Sequence, residues 1–278
     1  MRINNNLSAL NANRQLGNNA NQVSNRLENL SSGRRINRAA DDAAGLAISE
    51  RMRTQINGAR TASRNTQDAI SMLQTAEGGL QSMHNMLQRG RELAVQSANG
   101  TNQNMDRQVL QGEFGNIVEE IDQTASTLQF NGMTLLDGSQ DNIIFHAGPN
   151  PGDTVNFNLG AMNAERLLNV EGEYDPETDV NVATAAAATE AIGTVDNAVN
   201  EVSMQRAELG AMQNRLEFRM QALDVQAENA AAAESRVGDA DMAQMSAQFT
   251  AENILRDVST AILAQANATP QAVLGLIS

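Results

Sequence analysis

Apolar residues recur along this chain in steps of three and four. Ile3, Leu7 and Leu10, then Leu16, Ala20, Val23, Leu27 and Leu30, form a heptad seam with one polar slip near Arg14, the pattern of a helix that packs on a partner helix. Ser31-Ser32-Gly33 supplies turn-prone and left-handed-tolerant residues, and the first helix is expected to stop there. A second pattern starts at Asp41-Asp42, whose carboxylates suit a helix N-terminus. It runs through Leu46, Met52, Ile56, Ala59, Ile70, Leu73, Leu80, Met83, Leu87 and Val95 to Asn99-Gly100. A helix of about 55 residues at ~1.5 Å each is a rod on the order of 80 Å. A third pattern, from Met105 through Val109, Phe114, Ile117, Ile121 and Ala125 to Leu128, is expected to end at Asn131-Gly132 and to fold back on the second.

The middle of the chain changes period. NIIFHAG and TVNFNL alternate around PNPGD, which predicts a β-hairpin, with a further turn at Asp137-Gly138. AMNAERLLNV reads as a short helix and EGEYDPETD as an exposed turn or linker. The helical period then returns at Val195, Val199, Val202, Leu209, Leu216, Met220 and Leu223. It breaks at Gly238-Asp239-Ala240-Asp241 and resumes through Met242, Met245, Phe249, Ile254, Val258 and Ile262 toward Val273, Leu274 and Leu276. The order is nearly mirror-symmetric: rod, joint, rod, hairpins, rod, joint, rod. The expected fold is mainly α, an elongated antiparallel coiled coil or helical bundle with a small β-hairpin region in the middle of the chain.

Composition sharpens this reading. Aromatic residues are 3% of the 278, with no Trp, which suits helix-on-helix packing better than an aromatic-rich sandwich. The absence of cysteine removes disulfides, thiolate metal sites and cysteine nucleophiles. A formal charge of -14 disfavours nucleic acid and anionic lipid as partners. Residues 1–40 carry six Arg against Glu28, a net +5, whereas 237–278 carry Asp239, Asp241, Glu252 and Asp257 against Arg256, a net -3. Opposite signs predict that the termini lie side by side. No run approaches the roughly 20 apolar residues of a membrane span, and the start lacks the apolar block of a cleaved leader. Neither membrane insertion nor a cleaved signal peptide is expected.

Candidate chemistry is sparse. Gly33-Arg34-Arg35 lacks the other glycines, the lysine and the preceding strand of a phosphate loop. Asp41 and Asp42, as helix neighbours, point about 100 degrees apart and cannot flank one substrate bond; capping accounts for them. His84 and His146 stand far apart with no HExxH. DGSQDN at 137–142 has Asn142 where a calcium loop needs glycine, and reads as a turn. Asn99-Gly100-Thr101 matches a glycosylation sequon, a three-residue pattern common by chance. No catalytic, metal or cofactor site is expected. Gly33, Asp41, Asp42, Gly238 and Asp239 are read as joints between rods.

LSSGRRINRAADDAAGLAISERM, QRGRELAVQSANGT, EEIDQTASTLQFNGMTLLDG and the terminal LGAMQNRLE, ESRVGDADMA and ILAQANATPQAVLGLIS closely resemble bacterial flagellin, in order and at both ends. The resemblance covers about 1–170 and 190–278. It implies that 1–40 and 237–278 form paired inner-tube helices of a filament, that 41–170 and 189–236 form the outer tube, and that 171–188 replaces the large variable domain of longer members. It further implies a non-enzymatic structural subunit of the flagellar filament for motility, located outside the cell and exported by a type III apparatus. The implied partners are further copies of itself, an export chaperone, the hook-junction and cap proteins, and a host Toll-like receptor.

In that family an exposed receptor patch matches Arg89, Leu93 and Glu113 here, with Gln88, Arg91, Glu92 and Gln96 beside them. Gly90 stands where the family carries a branched apolar residue; a mid-helix glycine costs about 1 kcal/mol relative to alanine, which implies a weakened patch. Self-assembly is assigned to Ile3, Leu7, Leu10, Val23, Leu27 and Leu30 at one end. At the other it is assigned to Phe249, Ile254, Val258, Ile262, Val273, Leu274 and Leu276. A hook-filament junction protein shares part of the N-terminal pattern and is the alternative. A zinc peptidase, carried by some flagellins in the variable segment, is disfavoured by the short 171–188 and the missing HExxH. A coiled-coil adaptor would explain the heptads but not the matched joints and hairpins.

Overall fold

The computed structural model describes residues 6–140, 142–170, 174, 175 and 179–277, with 270–277 as backbone. Among the described residues, six helices and two small hairpins follow in the order α1 (Leu7–Ser32), α2 (Ala43–Ala98), α3 (Asn104–Thr127), β1 (Gln129–Phe130), β2 (Met133–Thr134), β3 (Ile143–His146), β4 (Thr154–Phe157), α4 (Ala164–Leu168), α5 (Ala185–Gly238) and α6 (Met242–Ile277). This is the mainly helical fold with central hairpins that the periodicity predicts. Two compact units divide it, 1–56 with 228–278 and 57–227.

The second unit holds an apolar core built on strict seven-residue repeats. On α5, Val195, Val202, Leu209 and Leu216 are all buried, with Ala191 and Ala198 beside them. On α2 two of the buried rows run Thr66, Leu73, Leu80, Leu87 and Ala94 in one register and Ala69, Ala76, Met83, Gly90 and Ser97 in the other. Both are a and d rows of a coiled-coil seam. The α3 helix adds Phe114, Val118, Ile121 and Ala125. Arg107, itself buried, donates to the carbonyls of Ser97 (2.9 Å) and Asn99 (3.2 Å) and so closes the end of α2.

One boundary differs from the sequence reading. Asn131-Gly132 does not end α3, which stops at Thr127 with the Leu128 amide bonded to the Thr124 carbonyl. Instead Asn131 (φ 51) and Gly132 (φ 79) form the turn between β1 and β2. Positive φ at both central residues matches the right-handed twist of a two-residue hairpin, for which Asn-Gly is the favoured pair. The second hairpin pairs Ile143 with Phe157 and His146 with Thr154. Its Val155 and Phe157 are buried. Its tip rests on α2, where a Cβ at Gly58 would come within 3.0 Å of Pro149 Cβ, and on α5, where Arg219 donates to the Ala147 carbonyl.

Of EGEYDPETD, 171–173 and 176–178 lie outside the described residues. Tyr174 is not an exposed linker residue. It is half-buried against α3, accepts from Gln111 (2.6 Å) and donates to the Val180 carbonyl (2.8 Å). Val182 and Ala188 join the core, and the Ser97 hydroxyl donates to the Val182 carbonyl.

A candidate self-assembly surface

In the first unit α1 and α6 run antiparallel, joined by Asn6 to the Ala266 carbonyl (2.7 Å), Asn19 to Ser259 (2.8 Å) and Arg26 to Glu252 (3.1 Å). The termini therefore lie side by side. Among the described residues, Arg26–Glu252 is the one ion pair that crosses between the two helices. Among the sheltered positions, Ala9, Ala12, Leu16, Asn19, Val23, Arg26 and Leu30 form one row on α1, and Met245, Phe249, Glu252, Arg256, Ser259, Leu263 and Ala266 one row on α6. Both rows alternate steps of three and four, so this is a heptad seam. Its centre is polar: Asn19 and Ser259 are 6% and 7% exposed.

The assembly residues named from the sequence divide over two faces. Val23 is buried, and Leu30 and Phe249 are half-buried. Leu7 (62% exposed), Leu10, Leu27, Ile254, Val258 and Ile262 (54%) are exposed, together with Leu255, which the sequence reading omitted. Ile3 lies outside the described residues, as do the side chains of Val273, Leu274 and Leu276. On α6, Ala251, Ile254, Leu255, Val258 and Ile262 follow one another at helical spacing and form a single apolar stripe. Soluble monomers seldom expose a contiguous stripe of large aliphatic residues, and such a stripe marks a place where another chain docks.

The joints are geometrically defined. Gly33 ends α1 with φ 68 in the left-handed region. The Arg35 amide donates to the Gly238 carbonyl (2.8 Å) and the Ala240 amide to the Gly33 carbonyl (3.0 Å), placing Arg34 opposite Asp239 in an antiparallel bridge. The Arg35 guanidinium donates to the Val237 carbonyl (2.6 Å), a cation at the C-terminus of α5. Asp41 accepts from the amides of Arg38 (2.9 Å) and Asn37 (3.0 Å), which hold its carboxyl below the usual carboxylate value. Asp42 accepts from the Gly45 amide (2.8 Å) and caps α2. A Cβ on Gly45, in the first turn of α2, would lie 2.7 Å from Ile36 Cδ1, so a larger residue there would have to displace the Ile36 and Asp42 side chains.

In the second unit, Gln88, Arg89, Arg91, Glu92, Gln96 and Glu113 are exposed. Arg89 pairs with Glu113 (2.6 Å) and Glu92 (3.1 Å), and Arg91 with Asp196 (2.5 Å). Leu93 requires correction: it is fully buried and takes no part in an exposed patch. Its place beside Ala94, in the a row of α2, turns it into the core. Gly90 is also buried, at a d position where an added Cβ would stand 3.4 Å from the Phe114 ring. α2 runs through it without interruption.

Family models for the bacterial flagellin N-terminal and C-terminal helical regions match residues 3–141 and 192–277. The chain is 49% identical over 277 residues to a flagellin of Halalkalibacterium halodurans and 45% identical over 303 residues to one of Bacillus subtilis, each match covering all of both chains. It is 44% identical over 285 residues to a flagellar filament 30.7 kDa core protein of Treponema maltophilum, again over all of both chains. Among solved structures, a Bacillus cereus flagellin superposes with a TM-score of 0.51 at 33% identity, covering 62% of this chain and 94% of that one. A putative flagellar hook-associated protein of Vibrio parahaemolyticus shares the fold at 15% identity, with a TM-score of 0.58 over 72% of this chain.

Proposed function

The chain belongs to the bacterial flagellin family, and from that premise we propose that the exposed apolar faces of α1 and α6 are the surfaces its copies cover in one another. The protein is a structural subunit of the flagellar filament, outside the cell. One observation carries the assignment of surfaces: the terminal pair shelters Asn19, Ser259, Arg26 and Glu252 in its seam while Leu7, Leu10, Leu27, Ile254, Leu255, Val258 and Ile262 stay exposed. Burying one Leu or Ile side chain contributes about 1.5–3 kcal/mol, and association costs roughly 4–15 kcal/mol. Leu7, Leu10, Leu27, Ile254, Leu255, Val258 and Ile262 together outweigh that cost once neighbouring copies cover them.

On this reading 1–40 and 237–278 line the inner layer of the filament, 41–170 and 189–236 the outer layer, and 171–188 stands in place of a variable domain. Ile3, Val273, Leu274 and Leu276 extend the inner faces. The joint built on Gly33, Asp41, Asp42, Gly238 and Asp239 connects the layers. The chain is held by an export chaperone at its C-terminal segment and meets junction and cap proteins at the filament ends. It carries no catalysis of its own. The Arg89–Glu113 pair with Gln88, Arg91, Glu92 and Gln96 forms the surface a Toll-like receptor reads; buried Leu93 supports that surface from beneath.

Full-length similarity to filament proteins favours a subunit, and nothing favours a junction protein. Seeded polymerisation tests the reading. The intact chain should extend seeds into long tubes seen by negative-stain microscopy, and chains lacking 1–30 or 250–278 should not. A persistently monomeric intact chain would overturn it.

A further inference from the structure

We propose that Asn19, Ser259, Arg26 and Glu252 determine the register in which α1 and α6 pair, and through it which apolar residues are left facing outward for assembly. This rests on the subunit reading above and adds what makes its interface specific. Asn19 is the hub. Its Nδ2 donates to Ser259 Oγ (2.8 Å) and to the Leu255 carbonyl (3.3 Å), and its Oδ1 accepts from Gln15 (3.2 Å). The Ser259 hydroxyl donates in turn to Leu255 O (2.7 Å). Seven residues along α1 and seven back along α6, Arg26 meets Glu252. The residue numbers of the two pairs add to the same value, as they must along one antiparallel register.

An apolar heptad seam is nearly indifferent to sliding by one repeat, because each Leu finds another hole; a polar residue in the seam removes that freedom. Here a slip in one direction sets Asn19 against Glu252 and Arg26 against Met245. A slip in the other sets Asn19 against Ala266 and Arg26 against Ser259, and carries Glu252 off the end of α1 at Gly33. The first leaves Glu252, whose side chain is 15% exposed, without its opposite, a costly arrangement, and both break the Asn19–Ser259 hydrogen bond. Ala9, Ala12, Leu16 and Leu263 supply no comparable discrimination. The outward stripe Ile254, Leu255, Val258 and Ile262 is interleaved with Glu252 and Ser259 on the same helix, so a shift of α6 displaces the stripe relative to Leu7, Leu10 and Leu27 on α1. Register and assembly geometry are thereby one property.

The test uses the full chain carrying Ala12→Cys and Ala266→Cys, sheltered positions in the same layers, joined by a short bis-maleimide. In the parent, crosslinking within one chain should be efficient, in dilute protein and in filaments. Asn19→Leu with Ser259→Leu should keep the helical content, lower the crosslink yield by several-fold and slow seeded elongation by about tenfold or more. The exchanged pair Asn19→Ser with Ser259→Asn, which retains a donor and an acceptor, should restore both to within about twofold of the parent. An undiminished crosslink and unchanged elongation in the double-Leu chain would overturn the proposal. The crosslink is scored whether or not seeds elongate, so a parent that crosslinks but never polymerises counts against the subunit reading alone.

Discussion

Along α2 and α5 the seven-residue repeat turns Leu73, Leu80, Leu87, Val202, Leu209 and Leu216 inward, each at 0–1% exposure; along α1 and α6 the same repeat turns Asn19, Arg26, Glu252 and Ser259 inward and leaves Ile254, Val258 and Ile262 in water. Both are coiled-coil seams, but they hold their free energy in different places. The first is complete within one chain. The second mixes Leu16, Val23, Met245 and Phe249 with those polar residues on its inward face and leaves other aliphatic side chains in water; on the proposed reading neighbouring copies cover them, so its stability depends on concentration. A filament subunit needs both kinds: a core that survives as a monomer, and ends whose ordering is coupled to stacking.

The largest effects should separate the two regions. Leu80→Ala, in the closed core, should destabilise the dilute chain by about 2–5 kcal/mol in denaturant unfolding. Val258→Asp with Ile262→Asp, on the open face, should leave that unfolding transition in place yet abolish seeded polymerisation. If the aspartates instead unfold the monomer, the outward face is already buried within one chain. Next in size, Gly90→Leu should overpack the α2–α3 contact at Phe114 and cost roughly 1–3 kcal/mol, which would show that the glycine serves the core. Smaller again, Gly132→Ala places a Cβ at φ 79 in the β1–β2 turn. It should cost about 1 kcal/mol without touching assembly.

Acid sharpens the comparison at the joints. The amides of Arg38 and Asn37 hold Asp41 below its ordinary 3.8, and the hydroxyls of Ser139 and Thr134 do the same for Asp137. A depressed folded value means a contribution fully present above the unfolded value and lost as pH falls through the folded one. The Asn37 and Arg38 amides should therefore keep their bonds to Asp41 above its ordinary value and lose them only as pH falls through the lower folded one, read by amide chemical shifts. The smallest effect is expected at Arg89–Glu113, an exposed pair: Glu113→Ala should melt with the parent.

What the sequence disclosed follows the same physics. Wherever apolar residues mark the packed face, as at Leu73, Leu80, Val202 and Leu209, periodicity located both the helix and its buried side. On α1 and α6 it located the helices but not the inward face, because a hydrophobic pattern cannot register that Asn19 and Ser259 are the sheltered pair. Leu93 was misplaced because resemblance assigned it to a surface while its neighbour Ala94 already marked the core row. The β1–β2 hairpin was overlooked since two-residue strands are too short to show alternation, although Asn131-Gly132 carried the turn signal. Tyr174 gave no sign of its bonds to Gln111, far away in the chain, and to the nearby Val180.

The central claim is that one helical pair is finished only by neighbouring copies whereas the apolar core is finished alone. Amide hydrogen exchange on the dilute chain and on filaments measures this directly. The account predicts that amides of α2 near 73–94 and of α5 near 195–216 are protected in both states, and that those of 7–32 and 242–262, paired but only marginally stable in the dilute chain, exchange much faster there than the core and become protected in the filament. Equal protection of the two terminal helices in the dilute chain would contradict it.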